Sequence, residues 1–443
     1  MARRVFLSVL GAGFYDPCVY KIGDYASPKS RFIQQVTIDY LKVKEWSEND
    51  AVIILLTNFA KKVNWDKQPN DQRLNPKTEK QEDYITLEQV LRNESLPMPV
   101  TTVDIPNGKN EEEMWEIFQK LYDNIQVGDE LYIDLTHSFR YIPMMMMVFS
   151  NYAKFLKGVK VKSVTYGNYE VFKNEQSKTG FIVDITSLSQ LQDWTAGADE
   201  FLSSGKVDKL RNIYIPQLRK KNEDSGYKDR AVQEQIKLVD NLNSVVNDLI
   251  TCRGKNIIEG NNLKKLQNGI QTVMNAEMPQ PFKPLFEKIA ESFETFSSSK
   301  DILNGIKAAR WCFDHKLYQQ CTTLLRETID TYVCEKVGVD YQNLNMRNHV
   351  NKTYNKVNNE RKGVIPPPEK DKLDPILLDQ MKGLEFWKTI DMNTLEHLVD
   401  IRNDFNHCGM LDNSRKDAEK SIIKVLENHL EYFENYFDKE NPS

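Results

Sequence analysis

The run Ala51-Val-Ile-Ile-Leu-Leu-Thr57 limits what this chain can fold into more than any other stretch. Apolar residues without a polar break, at strand length, fit a strand buried on both faces, as in parallel sheets covered by helices. Residues 3–10, Val100–Ile105, Glu130–Thr136 and Val161–Tyr166 also read as strands, and between them Ser30–Lys44, Tyr84–Leu91, Glu111–Ile125 and Arg140–Leu156 read as helices. In the first helix Phe32, Ile33, Val36, Tyr40 and Leu41 recur at helical spacing, with Ser30 placed to cap. A polar loop is expected from 58 to about 80, and a hairpin from strands near 169–173 and 181–185. This alternation predicts a doubly wound, mainly parallel, Rossmann-like α/β domain with ligands at the carboxyl ends of its strands.

Every polar cluster of interest falls at such an end. Gly11, Gly13 and Phe14 follow the first strand, and Thr57 and Asn58 close the second. Thr136, His137, Ser138 and Arg140 stand where a strand passes into a helix, and Tyr166 stands near the end of another strand. Glycines let backbone amides approach a phosphate, and the start of a helix with an arginine favours an anion. A dinucleotide fingerprint is incomplete because Asp16 takes the place of its third glycine, which argues against a plain dehydrogenase. The plainer alternative has Thr136 and Ser138 as helix caps and His137 as a structural residue.

Beyond about residue 190 no strand pattern returns. Residues 191–285 read as a helical connector, with Pro279–Pro284 as a boundary, and 286–443 as an all-α domain. The basic stretch Lys206–Arg219 and the pair Lys220-Lys221 read as solvated helix faces. With 40% hydrophobic and 28% charged residues the chain is globular rather than disordered, and a net charge of −5 confines any RNA contact to a local patch. Its six cysteines form no CxxC pair, which suits a reducing cytoplasm. Cys312, His315 and Cys321 lack an evident fourth ligand, so no metal is expected. The apolar stretches 5–10 and Met144–Phe149 are too short for a signal peptide core or a membrane span.

The last helices carry Arg402-Asn403 and His407. An imidazole moves protons near neutral pH and a guanidinium steadies charge on phosphorus, which together suffice to cut RNA without a metal. Arg402 and His407 do not stack on a helix. Asn403 and His407, four apart, share a face, and two copies of the helix could also pool their residues at a dimer axis. Arg310 and His315 repeat the spacing with Trp311 after the arginine.

Taken together, Asp134-Leu-Thr-His-Ser138 and Arg402-Asn403-x-x-x-His407 resemble the CRISPR-associated type III CARF–HEPN ribonucleases named for a DxTHG motif, with Ser138 in place of the motif's glycine. The resemblance touches both ends of the chain and favours the 402 pair over the 310 pair. It implies a CARF sensor over 1–190 that binds cyclic oligoadenylate, with four adenylates expected and six as the alternative. It also implies a C-terminal HEPN nuclease, a homodimer or higher oligomer, cleavage of single-stranded RNA without a metal, and no cofactor. Slow cleavage of the activator by the sensor is a third activity to consider. The competing reading is a non-catalytic nucleotide-sensing regulator that recruits a partner.

Overall fold

The computed structural model describes residues 2–137, 141–169, 179–275, 283–364, 374–410, 412 and 414–440. It divides the chain into two compact units, Met1–Gln192 and Asp193–Ser443.

The first unit is built on strands β1 (Arg4–Leu10), β2 (Val19–Ile22), β3 (Tyr25–Ala26), β4 (Ala51–Thr57), β5 (Gln72–Asn75), β6 (Lys80–Asp83), β7 (Val100–Ile105), β8 (Glu130–Asp134), β9 (Lys160–Asn168) and β10 (Thr179–Asp184). Eight of them form one sheet in the order β3-β2-β10-β9-β8-β1-β4-β7, while β5 and β6 make a separate ribbon. The stretch β9-β8-β1-β4-β7 is parallel throughout. Chain order runs outward from β1 through β4 to β7, then returns to the other side of β1 with β8. The topological switch point therefore lies between β1 and β8.

Burial on both faces explains the uninterrupted apolar runs. Val5, Leu7 and Val9 of β1 pack with Ile53 and Leu55 of β4 against the helices Glu111–Asn124 and Ile142–Lys157. Phe6 and Leu10, with Val52, Ile54 and Leu56, face Phe32, Ile38, Leu87 and Leu91 on the opposite side. Alternate residues serve opposite layers, so no position of β4 before Thr57 is left for a polar side chain.

Four details differ from the expected elements. The first helix is shorter, Ile33–Tyr40, and Ser30 does not cap it; its hydroxyl donates to Gln35 Oε1 at 2.6 Å instead. The polar stretch after β4 contains the short helix Asn58–Ala60 and the β5–β6 ribbon, whose residues are mostly solvent-exposed and so show no apolar alternation. β2 and β3 are too short to leave a periodic signal. The antiparallel partner of β10 is β9 itself, with Phe181 opposite Asn168, while residues 170–173 of the expected strand lie outside the described residues.

The second unit has no strand among its described residues. One hydrophobic cluster runs from Trp194 to Phe437. It draws both on residues expected as connector, such as Leu242 and Leu266, and on those of the later helices, such as Leu325 and Phe433. The helices Leu303–Asp314 and Tyr318–Lys336 approach closely at Gly305, where a Cβ would lie 2.1 Å from Thr328 Oγ1. Beside them Arg326 and Asp330 form an ion pair at 2.6 Å with almost no solvent exposure.

Candidate functional site

The carboxyl ends of β1 and β8 meet at the switch point. The buried carboxylate of Asp134 is the last residue of β8. It accepts from Ser8 Oγ at 2.7 Å, from the Thr136 amide at 3.1 Å and from Thr136 Oγ1 at 2.5 Å. Burial raises its pKa, and these three donors act against that rise. Thr136 Oγ1 in turn accepts the Gly167 amide at 2.7 Å, so one hydroxyl ties the ends of β8 and β9 together.

Gly11 and His137 face each other across the gap, with the Tyr15 ring stacked on the imidazole at 4.0 Å. A Cβ on Gly11 would stand 2.2 Å from the Tyr15 hydroxyl, which is why this position takes glycine. The β1 turn is held from outside itself. Asn64 Nδ2 donates to the carbonyls of Gly11 and Gly13 at 2.7 and 2.9 Å. Arg73 donates to the carbonyls of Ala12 and Gly13, and Arg31 to that of Tyr15. Phe14, expected to face a ligand, packs on Tyr84 with ring centroids 5.1 Å apart and lies beneath both guanidinium groups.

Of the residues singled out in the sequence, Gly11, Gly13, Thr136 and His137 therefore come together. Thr57 caps the helix that follows β4, accepting the Ala60 amide at 3.2 Å, and Asn58 is exposed beside it. Tyr166 lies on β9, opposite Val183 of β10, and is 41% exposed. Ser138 and Arg140 lie outside the described residues. Sequence reading missed Arg31, Asn64, Arg73 and Tyr84, which arrive from distant segments with no local motif to mark them.

The His137 Nε2 is buried without a hydrogen-bond partner among the described residues, and burial lowers the imidazole pKa from 6.5 to about 4. Because the folded value lies below the unfolded one, the unfolded chain binds the proton first. Stability from this group is complete above pH 6.5 and is lost as pH falls towards about 4, by at most about 1.4 kcal/mol per pH unit. Thermal melts across that window should show a shallower loss for His137→Gln than for the unsubstituted protein. Equal slopes would mean that His137 takes up its proton as readily in the folded as in the unfolded chain.

In the second unit, Arg402 lies on the helix Met392–Asn406 and donates from Nη2 to Glu327 Oε1 at 3.3 Å. Glu327 is itself fixed by Arg347, which bonds its carboxylate and, at 3.0 Å, its carbonyl oxygen. Neither Glu327 nor Arg347 was singled out in the sequence. His407 stands just past the end of this helix. It is the capping residue after Asn406, with its amide donating to Asn403 O at 2.9 Å and its side chain exposed. Cys408 and Gly409 follow with positive φ, closing the helix in the usual left-handed turn. No side-chain hydrogen bond joins Asn403 to His407 among the described residues.

The second Arg–His pair has a different environment. Arg310 makes a two-pronged ion pair with Glu434. His315 is buried against Trp311, with ring centroids 3.8 Å apart, and its Nδ1 bonds Trp311 O at 2.7 Å. Cys312 and Cys321 are buried and burial raises both thiol pKa values. Among the described residues no group of three or more His, Cys, Asp or Glu side chains is arranged to hold a metal ion. No helix of the described residues is long and apolar enough to cross a membrane.

An open, mainly parallel sheet with a glycine turn and a polar turn at its switch point has the geometry at which α/β domains commonly hold ligands. Comparison with known families narrows that class: residues 5–186 match the family described as CRISPR system endoribonuclease Csx1, CARF domain. The chain is also similar to CRISPR-associated protein MJ1674 of Methanocaldococcus jannaschii, at 25% identity over 378 residues, covering 75% of this chain and 54% of that protein. It thus spans about half the length of that relative. The two findings support a CRISPR-associated protein whose N-terminal unit is a CARF domain.

Proposed function

We propose that the chain is a CRISPR type III accessory ribonuclease, switched on by cyclic oligoadenylate in its CARF unit and cutting single-stranded RNA in its helical unit. The observation that carries this reading is that the Csx1 CARF match, residues 5–186, encloses both turns of the switch-point site. The amides and glycines of the β1 turn, with Thr136 and His137, suit phosphates and their sugars. A symmetric cyclic ligand would take the same residues from each chain of a homodimer. Cyclic tetra-adenylate is the expected activator.

In the helical unit His407 moves protons and Arg402 holds the scissile phosphate, while the substrate's own 2′-hydroxyl attacks and a 2′,3′-cyclic phosphate is left. The exposure of His407 and the steadying of Arg402 by Glu327 support these roles. Coupling between the units requires two arrangements of the dimer that the activator binds unequally. The Arg310–His315 pair is engaged in internal contacts and is assigned no role in cleavage.

The test is an RNA-cleavage assay with cyclic tri-, tetra- and hexa-adenylate in turn, with and without EDTA. Cleavage that depends on one cyclic species and survives EDTA is the expected result. Ligand binding with no cleavage under any condition would favour the regulator that recruits a partner.

A further inference from the structure

We propose that Arg31 and Arg73 form a two-guanidinium clamp for a phosphodiester of the sensed nucleotide, with the β5–β6 ribbon carrying one half of it to the β1 turn. The inference rests on the nucleotide-sensing reading above and assigns that site residues which no motif marks.

The two side chains come from different places and converge. Arg31 precedes the helix Ile33–Tyr40, and Arg73 lies on β5. Both guanidinium groups lie over the Tyr84 ring, at 4.4 and 5.0 Å, and over the Phe14 ring, at 5.0 and 5.5 Å. Arg31 donates to the carbonyls of Tyr15 and Asp83, and Arg73 to those of Ala12 and Gly13 and to Asn64 Oδ1. Arg31 thus touches both the turn and the end of β6, so ribbon and turn are joined through these two side chains.

Among the described residues neither arginine forms an ion pair with a carboxylate. The acids near them, Asp16 and Glu82, favour the Arg31 charge without bonding it: Asp16 accepts Lys77 Nζ at 2.7 Å, and Glu82 accepts Asn75 Nδ2 at 2.6 Å. Asp134, the buried acid at this end of the sheet, already holds three donors. Satisfying the turn's carbonyls does not require charge, because the neutral amide of Asn64 does the same for Gly11 and Gly13. Burial is the largest influence against the charge on Arg31; Tyr84, Glu82 and Asp16 favour that charge, and Arg73 opposes it by like-charge repulsion. A phosphate oxygen arriving at the turn would relieve that repulsion with charge-assisted hydrogen bonds, and the stacked rings hold the guanidinium planes in advance.

The experiment measures binding of labelled cyclic tetra-adenylate by the full-length protein over a series of salt concentrations. Arg73→Met and Arg31→Met should each weaken binding by about 10- to 100-fold. Each should also reduce the slope of log affinity against log salt by about one, as the loss of a phosphate contact does. Arg73→Lys keeps the charge and should keep the slope, even where affinity falls. A purely structural role would lower affinity and leave the slope unchanged in the Met variants, which would overturn the proposal. Should the unsubstituted protein bind neither cyclic tetra- nor hexa-adenylate, the sensing reading falls. The clamp is then tested with linear phosphorylated adenylates, and it falls as well if their binding shows no arginine-dependent salt slope.

Discussion

Replacing His407 by alanine should lower RNA cleavage by about 100- to 10,000-fold while leaving activator affinity within about twofold, the range expected when a proton-transfer group is lost. The structure supplies the reason for expecting so clean a separation. His407 is solvent-exposed at the end of the helix Met392–Asn406, and the helix's closing turn is made by backbone groups, so truncating the imidazole removes no packing. Alanine at Arg310 or His315 should behave in the opposite way. Arg310 is bonded to Glu434 and His315 is packed on Trp311, so these changes should lower the melting temperature and leave the rate per folded molecule nearly intact. Initial rates with activator at saturation, beside thermal melts, distinguish the two classes. Retained cleavage in His407→Ala would reject the assignment of the catalytic centre.

The second large effect is expected at Asp134. Asp134→Ala should destabilise the first unit by about 2–4 kcal/mol, because three donors at the junction of β1 and β8 lose their acceptor in a buried place. Against a total stability of about 5–15 kcal/mol, that is enough for a large drop in melting temperature. Asp134→Asn keeps an acceptor and removes the charge, and should cost about 1 kcal/mol or less. The sign of the pH dependence also separates them. Burial raises the Asp134 pKa above its ordinary value of 3.8. The proton-bound form is therefore favoured by folding, and its contribution is complete below 3.8 and is lost as pH rises through the folded value. The Asn variant lacks that loss. Urea unfolding of the three proteins checks both points, and equal stability of the Ala and Asn variants would show that the three-donor arrangement contributes little.

The chain's order of residues was enough to determine the layering of its first unit. A strand buried on both faces must be apolar at every position, and this is why Ala51–Leu56 could be read at once. The glycines after β1 and the Thr136–His137 turn after β8 were equally visible, because a turn at a strand end depends on a few adjacent residues. The absence of strands among the described residues after 190 was visible for the same local reason. What surrounds those turns was decided only by the tertiary structure. Arg31, Asn64 and Arg73 hold the β1 turn from segments 16 to 61 residues away, and the ribbon that carries Arg73 is solvent-exposed and leaves no apolar period. The two Arg–His pairs have the same spacing, yet Glu434, 124 residues from Arg310, engages one arginine, while Glu327, itself bonded by Arg347, engages the other, and the histidine of that second pair is exposed. Local patterns fix which face of an element is apolar. Which charges meet depends on how distant elements pack, and no spacing along the chain encodes that.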